Sequence, residues 1–137
     1  MAMTADEKKW RGRDAAHTLA EAERIKNDLL TFLIERKRAG KTVAAYGAAA
    51  KGNTLLNFAG VRADLLPYVC DQAPSKQGKF MPGSHIPIFA PSRLDADSPD
   101  TVLILPWNIA QEVRDENRAL TERGVHFVTA VPELRFL

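Results

Sequence analysis

The sequence predicts an α/β protein of three layers, with a mostly parallel sheet of about five strands that a long N-terminal helix precedes. Segments typical of strands and helices alternate along the chain, which is the pattern of parallel sheets covered by helices. The predicted strands are short apolar runs without clean alternation, as expected when both sheet faces are buried. The 137 residues, 45% hydrophobic and 26% charged, suit one globular domain.

The first helix is predicted over residues 14–38. Asp14 can cap its start, and Gly40 follows the last apolar position as a stop signal. Apolar residues recur at spacings of three and four and form one stripe, at Ala22, Ile25, Leu29, Phe32 and Leu33. Residues 1–13 are predicted to be a disordered tail or a segment added for expression.

The other elements follow from short apolar runs separated by Gly and Pro. Strands are predicted over residues 41–46, 65–70, 86–89, 101–105 and 125–128. Helical segments are predicted over residues 53–59, 91–94 and 107–123. Right-handed crossovers then place the first strand in the centre of the sheet, and residues 14–137 form a single domain.

Charge and composition exclude several classes of protein. A net charge of +2 is too small to indicate a nucleic-acid partner. No apolar stretch approaches the roughly 20 residues of a membrane span, and the N-terminus lacks the apolar part of a secretory signal. We therefore expect a cytoplasmic protein. The single cysteine, Cys70, excludes an internal disulfide and a Cys-rich zinc site.

The middle of the chain is its most basic part. Residues 41–92 carry five Lys or Arg against two Asp, a difference of +3. This excess is consistent with an anionic ligand and equally with a random fluctuation of surface charge. An anion site is therefore a hypothesis that other features must support.

The turn after the first predicted strand is Gly47-Ala48-Ala49-Ala50-Lys51-Gly52. Its glycines match the first and third glycines of the dinucleotide-binding fingerprint, but Ala49 replaces the second. It is not a P-loop, because the lysine precedes the last glycine. The turn still leads into a helix start, where free N–H groups favour anions. The alternative is a closely packed strand–helix turn without a ligand.

Several polar residues lie near this turn in the predicted topology. Asn53 and Thr54 can cap the helix or bind a phosphate. Asp71 follows the turn at about the separation of an acidic residue that binds ribose hydroxyls, although a loop or capping aspartate is the alternative. His85 lies in a Gly/Pro-rich loop, where it can pack or bind a phosphate. The three histidines have no metal-ligand spacing, and no catalytic constellation is present.

Four segments together resemble signatures of the C-terminal domain of S-adenosylmethionine-dependent sugar C-methyltransferases, which methylate carbon in nucleotide-linked keto-deoxysugars. They occur in order and with plausible spacing, so the combination is specific although each alone is weak. The segments are residues 46–57 (YGAAAKGNTLLN), 71–78 (DQAPSKQG), 82–88 (PGSHIPI) and 105–108 (LPWN).

This resemblance implies a Rossmann-like domain that binds a nucleotide-diphosphate sugar. The family's Cys-rich zinc domain and methyl-donor domain have no counterpart in this sequence, and the family's general base belongs to the donor domain. The resemblance therefore implies that this chain binds no cofactor and transfers no methyl group alone. S-adenosylmethionine would bind a donor domain, upstream in the full-length enzyme or on a partner chain.

Two other classes of function remain open at this point. One is a stand-alone nucleotide-binding or NAD-binding module, and the other is an interaction domain whose long helix packs on another domain or subunit. If the chain is the C-terminal domain of a sugar C-methyltransferase, we expect that none of its residues is catalytic and that none binds metal. The substrate-binding residues are then predicted to be Gly47, Lys51, Gly52, Asn53, Thr54, Asp71, Lys76, His85 and Asn108.

Overall fold

The computed structural model describes the backbone of residues 5–137 and the side chains of residues 18–137. Its strands are β1 (Val43–Tyr46), β2 (Val69–Cys70), β3 (Ile88–Phe89), β4 (Thr101–Ile104), β5 (His126–Thr129) and β6 (Arg135–Phe136). They form one sheet in the order β3-β2-β1-β4-β5-β6. The first five strands pair in parallel and β6 pairs antiparallel to β5. The α/β class and the interior position of β1 are thus confirmed.

Helices cover both faces of the sheet. They are α1 (Ala5–Arg38), α2 (Ala50–Ala59), α3 (Ser92–Asp97), α4 (Ala110–Glu116) and α5 (Arg118–Glu122). One apolar cluster joins α1 and α2 to the sheet through buried side chains such as Leu29 and Leu56. The second joins α3, α4 and α5 to the opposite face through Leu94, Val113 and Leu120. The two clusters produce the predicted three layers.

The long helix begins earlier than its capping residue predicts. Helix α1 starts at Ala5, nine residues before Asp14. Residues 1–4 of the predicted tail lie outside the described residues. The end of the helix agrees with the prediction, since α1 stops at Arg38 and Gly40 adopts a φ of +74°.

The second and last helical segments differ from their predicted bounds. Helix α2 begins at Ala50 rather than at Asn53, because small residues of the turn already join the helix. The segment predicted as one helix over 107–123 is a 3₁₀ turn (Trp107–Ile109) followed by α4 and α5. It breaks at Asn117, whose Nδ2 donates to the Val113 carbonyl at 2.8 Å. Ile109 lies in the 3₁₀ turn and is exposed.

The edges of the sheet also differ from the prediction. Strands β2 and β3 contain two residues each. The start of the predicted second strand is instead a turn, in which the Leu65 and Leu66 N–H groups donate to the Arg62 carbonyl. Strand β6 has no counterpart in the prediction, because two residues are too few to show a periodicity. The sheet therefore has six strands rather than five.

Truncating the apolar stripe of α1 tests the packing of this helix. Leu29 is completely buried in the cluster that joins α1 to the sheet. Leu29→Ala is expected to lower the free energy of unfolding by about 2–5 kcal/mol, because it removes buried methyl groups and leaves a cavity. Urea unfolding followed by circular dichroism measures the change.

Leu19→Ala is the matched control, because Leu19 lies on the same helix and is 58% exposed. Its effect is expected to stay within about 0.5 kcal/mol. Equal unfolding midpoints for the two variants would mean that α1 does not depend on this packing.

Candidate functional site

Three chain segments meet at the carboxyl edge of the sheet. Gly47 follows β1, Asp71 follows β2, and Leu105 and Pro106 follow β4. Because β1 lies between β2 and β4, this edge is where the strand order reverses. Open parallel sheets place their ligands at this position.

The two glycines of the turn allow close packing against the segment after β4. Gly47 has a φ of +88°, and a Cβ there would lie 2.5 Å from Cδ of Pro106. A Cβ on Gly52 would lie 2.5 Å from Cβ of Leu105. Close packing therefore accounts for a glycine at both positions. This is the role that the alternative interpretation, a closely packed turn without a ligand, gives them.

The carboxylate of Asp71 connects the glycine turn to the loop after β2. Its Oδ2 accepts the Ala48 N–H at 2.7 Å and its Oδ1 accepts the Ala73 N–H at 2.8 Å. Lys76 lies beside this pair, with Nζ 3.0 Å from the Ala48 carbonyl oxygen and 3.8 Å from Oδ2 of Asp71. Gln77 Nε2 donates to the Asp71 carbonyl at 2.9 Å. Asp71 thus binds backbone N–H groups, as in the alternative of a loop or capping aspartate.

Helix α2 starts without a side-chain cap. Its N-cap residue, Ala49, offers no side-chain acceptor, so the first N–H groups of the helix remain available. Asn53 and Thr54 lie inside the helix and cannot cap it, contrary to one of their two predicted roles. Thr54 Oγ1 instead donates to the Ala50 carbonyl at 3.1 Å.

Two clefts open on either side of the Asp71–Lys76 pair. The first, here the basic cleft, has a volume of about 440 Å³ and contains Lys76, Lys79 and Phe80 beside the start of α2. The second, here the acidic cleft, has a volume of about 340 Å³ and contains Asp71, Glu116 and Lys76. Lys76 therefore borders both, and the two clefts differ in charge.

Burial and charge act on two titratable groups near these clefts. The pKa of Tyr46, at the end of β1, is raised by burial and then by the carboxylates of Glu116 and Asp71. Burial raises the pKa of the Cys70 thiol to about 12. Cys70 therefore stays protonated near neutral pH, as expected for an inert core thiol.

The structure brings some of the predicted site residues to the clefts and separates others. Asn53 lines the basic cleft, Gly47 and Asp71 line the acidic cleft, and Lys76 lines both. Gly52 is buried beneath the turn. The remaining four are exposed and line neither of the two clefts: Lys51, Thr54, His85 and Asn108.

Several cleft residues were not predicted as site residues, and three of them are charged or aromatic. Lys79 and Phe80 line the basic cleft, and Glu116 lines the acidic cleft from the end of α4. The Gly/Pro-rich composition around Lys79 and Phe80 could have marked them as part of a binding loop. Glu116 carries no such signal, because it lies on a helix whose charged face looks like any solvated surface.

The described residues contain neither a metal-ligand cluster nor a membrane-spanning helix. Within them, no group of three or more His, Cys, Asp or Glu side chains could hold a metal ion. No helix in that same part of the chain is long and apolar enough to cross a membrane.

An α/β domain with clefts at the switch point of a mostly parallel sheet is the class of protein that this geometry defines. A family model described as the C-methyltransferase C-terminal domain matches residues 2–132, and the chain belongs to this family. The C-methyltransferase NovU of Streptomyces niveus is 41% identical over 98 residues, which are 72% of this chain and 23% of that relative. The chain thus matches about a quarter of the length of this relative.

A solved structure supports the fold. The crystal structure of UDP-D-quinovosamine 4-dehydrogenase from Vibrio fischeri matches with a TM-score of 0.52 and 21% sequence identity. The match covers 71% of this chain and 93% of that chain. At this identity the similarity concerns the fold alone, and it agrees with the predicted Rossmann-like architecture.

A substitution at Gly52 tests the close contact that shapes the site. Gly52→Ala places a methyl group against Cβ of Leu105, so α2 and the segment after β4 must move apart. We expect a loss of stability of about 1–3 kcal/mol, as for other overpacked sites, measured by thermal unfolding.

Thr54→Ala on the same helix is the control, and its exposed position predicts a change within about 0.5 kcal/mol. A Gly52→Ala variant as stable as the wild type would contradict the close approach of α2 to the segment after β4.

Proposed function

We propose that this domain binds the nucleotide-diphosphate sugar on which a sugar C-methyltransferase acts, and that the basic cleft holds the phosphates. The observation that carries the proposal is the pairing of Lys76 and Lys79 with the uncapped start of α2 in one cleft. Membership of the C-methyltransferase C-terminal domain family supports it independently.

Electrostatic attraction favours an anion in the basic cleft. Free N–H groups at a helix start and the helix dipole, equivalent to about half a positive charge, both favour an anion. The two ammonium groups add full charges, and a hydrogen bond to a charged group contributes about 1.5–3 kcal/mol. Asp71, whose carboxylate would repel phosphate, borders the acidic cleft and accepts two backbone N–H groups.

The contacts of Asp71 also favour a nucleotide sugar over NAD. In the dinucleotide fingerprint the acidic residue after the second strand binds ribose hydroxyls, and the second glycine lets the pyrophosphate approach the backbone. Here Asp71 is engaged by Ala48 and Ala73, and Ala49 stands at the place of that glycine.

S-adenosylmethionine also fits these residues poorly, because Asp71 already accepts two backbone N–H groups and is not free for a ribose hydroxyl. Its positively charged sulfonium would in addition be repelled by Lys76 and Lys79. We propose that the methyl donor binds another domain, either upstream in the full-length enzyme or on a partner chain. We also propose that the enzyme acts in the cytoplasm. The present domain contributes recognition of the acceptor substrate.

Neutralising the cleft lysines tests the phosphate site. Lys79→Met and Lys76→Met are each expected to weaken the binding of thymidine diphosphate glucose about tenfold or more, because each removes one charge-assisted contact. Isothermal titration calorimetry measures the affinity.

Lys41→Met is the matched control, since Lys41 pairs with Asp100 before β1, at the opposite edge of the sheet. Its affinity should stay within about twofold of the wild type. Lys51→Met tests the lysine that the sequence analysis predicted to bind the ligand. A larger loss of affinity in this variant than in Lys79→Met would place the anion on the exposed side of the helix start. Wild-type affinity in all four variants would refute the phosphate site.

A second experiment tests the division of labour between domains. The purified 137-residue chain, incubated with labelled S-adenosylmethionine and a thymidine diphosphate keto-deoxysugar, is expected to transfer label only at background level. Chromatography of the nucleotide sugar detects the product. Transfer above the level of a boiled control would show that this chain carries its own donor site.

A further inference from the structure

An exposed aromatic ring borders the basic cleft on the side of the loop before β3. Phe80 lines this cleft, and 56% of its surface is exposed. We propose that Phe80 stacks on the planar base of the nucleotide and that His85 is a positioning residue for its ring. The inference rests on the proposed function and specifies which part of the ligand each wall of the cleft contacts.

The backbone around Phe80 is held on both sides by hydrogen bonds. The Met81 N–H donates to the Ile86 carbonyl at 2.8 Å, and the Ile88 N–H donates to the Lys79 carbonyl at 2.8 Å. Between these bonds, Phe80 forms an antiparallel bridge with Pro87. The position of the Phe80 backbone is therefore fixed before any ligand arrives, which lowers the entropy cost of binding.

The far end of this loop is tied to α2. Asn57 Nδ2 donates to the Pro82 carbonyl at 2.9 Å. Gly83 has a φ of +87° and comes so close to Asn57 that a Cβ would collide with its side chain. The loop that carries Phe80 and the helix whose start faces the cleft therefore keep a constant separation.

His85 lies beside the Phe80 ring. Its φ is +60°, a conformation that costs a non-glycine residue energy and is found where the surroundings enforce it. The His85 N–H donates to the Met81 carbonyl at 3.0 Å. The imidazole centroid lies 5.5 Å from that of Phe80, with the planes at 45°. Since His85 lines neither cleft, we assign its role to the orientation of Phe80.

A nucleotide matches the groups that line this cleft. Phe80 lines it together with Lys76, Lys79 and the start of α2. A planar base against the ring and phosphates against the lysines would use both kinds of group. The buried side chains of Met81 and Ile88 form apolar surface behind the base. Stacking accepts any base, so this wall recognises a flat ring rather than one base edge.

The test compares two probes, thymidine diphosphate glucose and inorganic pyrophosphate, in calorimetric titrations. Phe80→Leu is expected to weaken the nucleotide sugar about tenfold, within the range that base–aromatic stacking gives, and to leave pyrophosphate within about twofold. Phe80→Trp should restore wild-type affinity, and the added indole fluorescence should be quenched by the nucleotide sugar alone.

Phe58→Leu is the matched control, because Phe58 is 45% exposed on α2 and lines neither cleft. His85→Asn keeps a residue that tolerates positive φ but removes the imidazole. It should weaken the nucleotide sugar severalfold and leave pyrophosphate unchanged, a split that general loosening of the loop would not produce.

Wild-type affinity of Phe80→Leu for both probes would overturn the stacking role while leaving the phosphate site intact. An equal loss for both probes would also overturn it, because Phe80 would then only maintain the shape of the cleft. A wild-type chain that binds pyrophosphate as tightly as the nucleotide sugar would overturn it as well. A wild-type chain that binds neither probe would refute the proposed function together with this inference.

Discussion

The arrangement of the site depends on the carboxylate of Asp71. Two backbone N–H groups from two segments, Ala48 after β1 and Ala73 after β2, donate to its oxygens at 2.7 and 2.8 Å. A carboxylate with 15% exposure binds such donors more strongly than one in open water. The bond fixes the turn that starts α2 relative to the loop that carries Lys76. Both clefts take their shape from this connection.

The same connection separates positive from negative charge at one edge of the sheet. Lys76 Nζ lies 3.8 Å from Asp71 Oδ2, so the ammonium borders both clefts while the carboxylate borders one. On the far sides, Lys79 adds positive charge and Glu116 adds negative charge. Under the proposed function, the diphosphate would lie in the basic cleft and sugar hydroxyls would donate hydrogen bonds to the carboxylates of the acidic cleft.

The fold was largely predictable because the strand order follows from local sequence patterns. The apolar runs of β1, β4 and β5 and the glycines after α1, α2 and α5 identify alternating elements, and the handedness of crossovers orders them. Other features were not predictable from local pattern. Strand β6 is too short to show a period. The close approach of Gly52 to Leu105 joins residues that lie far apart in sequence.

The site was predictable only in part. The turn at Gly47 and the acidic residue at position 71 can be located by spacing, but spacing does not show what a carboxylate accepts. In the structure Asp71 holds backbone amides. The Gly/Pro-rich segment around Phe80 marks a loop, but it does not show that the bridge to Pro87 places this ring beside a cleft. Glu116 ends a helix whose charged residues give no local signal of a site.

The most direct test of the central claim is an NMR titration of the ¹⁵N-labelled chain with thymidine diphosphate glucose. We expect saturable shifts of the backbone amides of residues 48–53 and 76–81, which frame the basic cleft. The amides of residues 100–101 and 124–126, at the opposite edge of the sheet, should stay unchanged. Shifts confined to that opposite edge, or no shifts at millimolar ligand, would contradict the account.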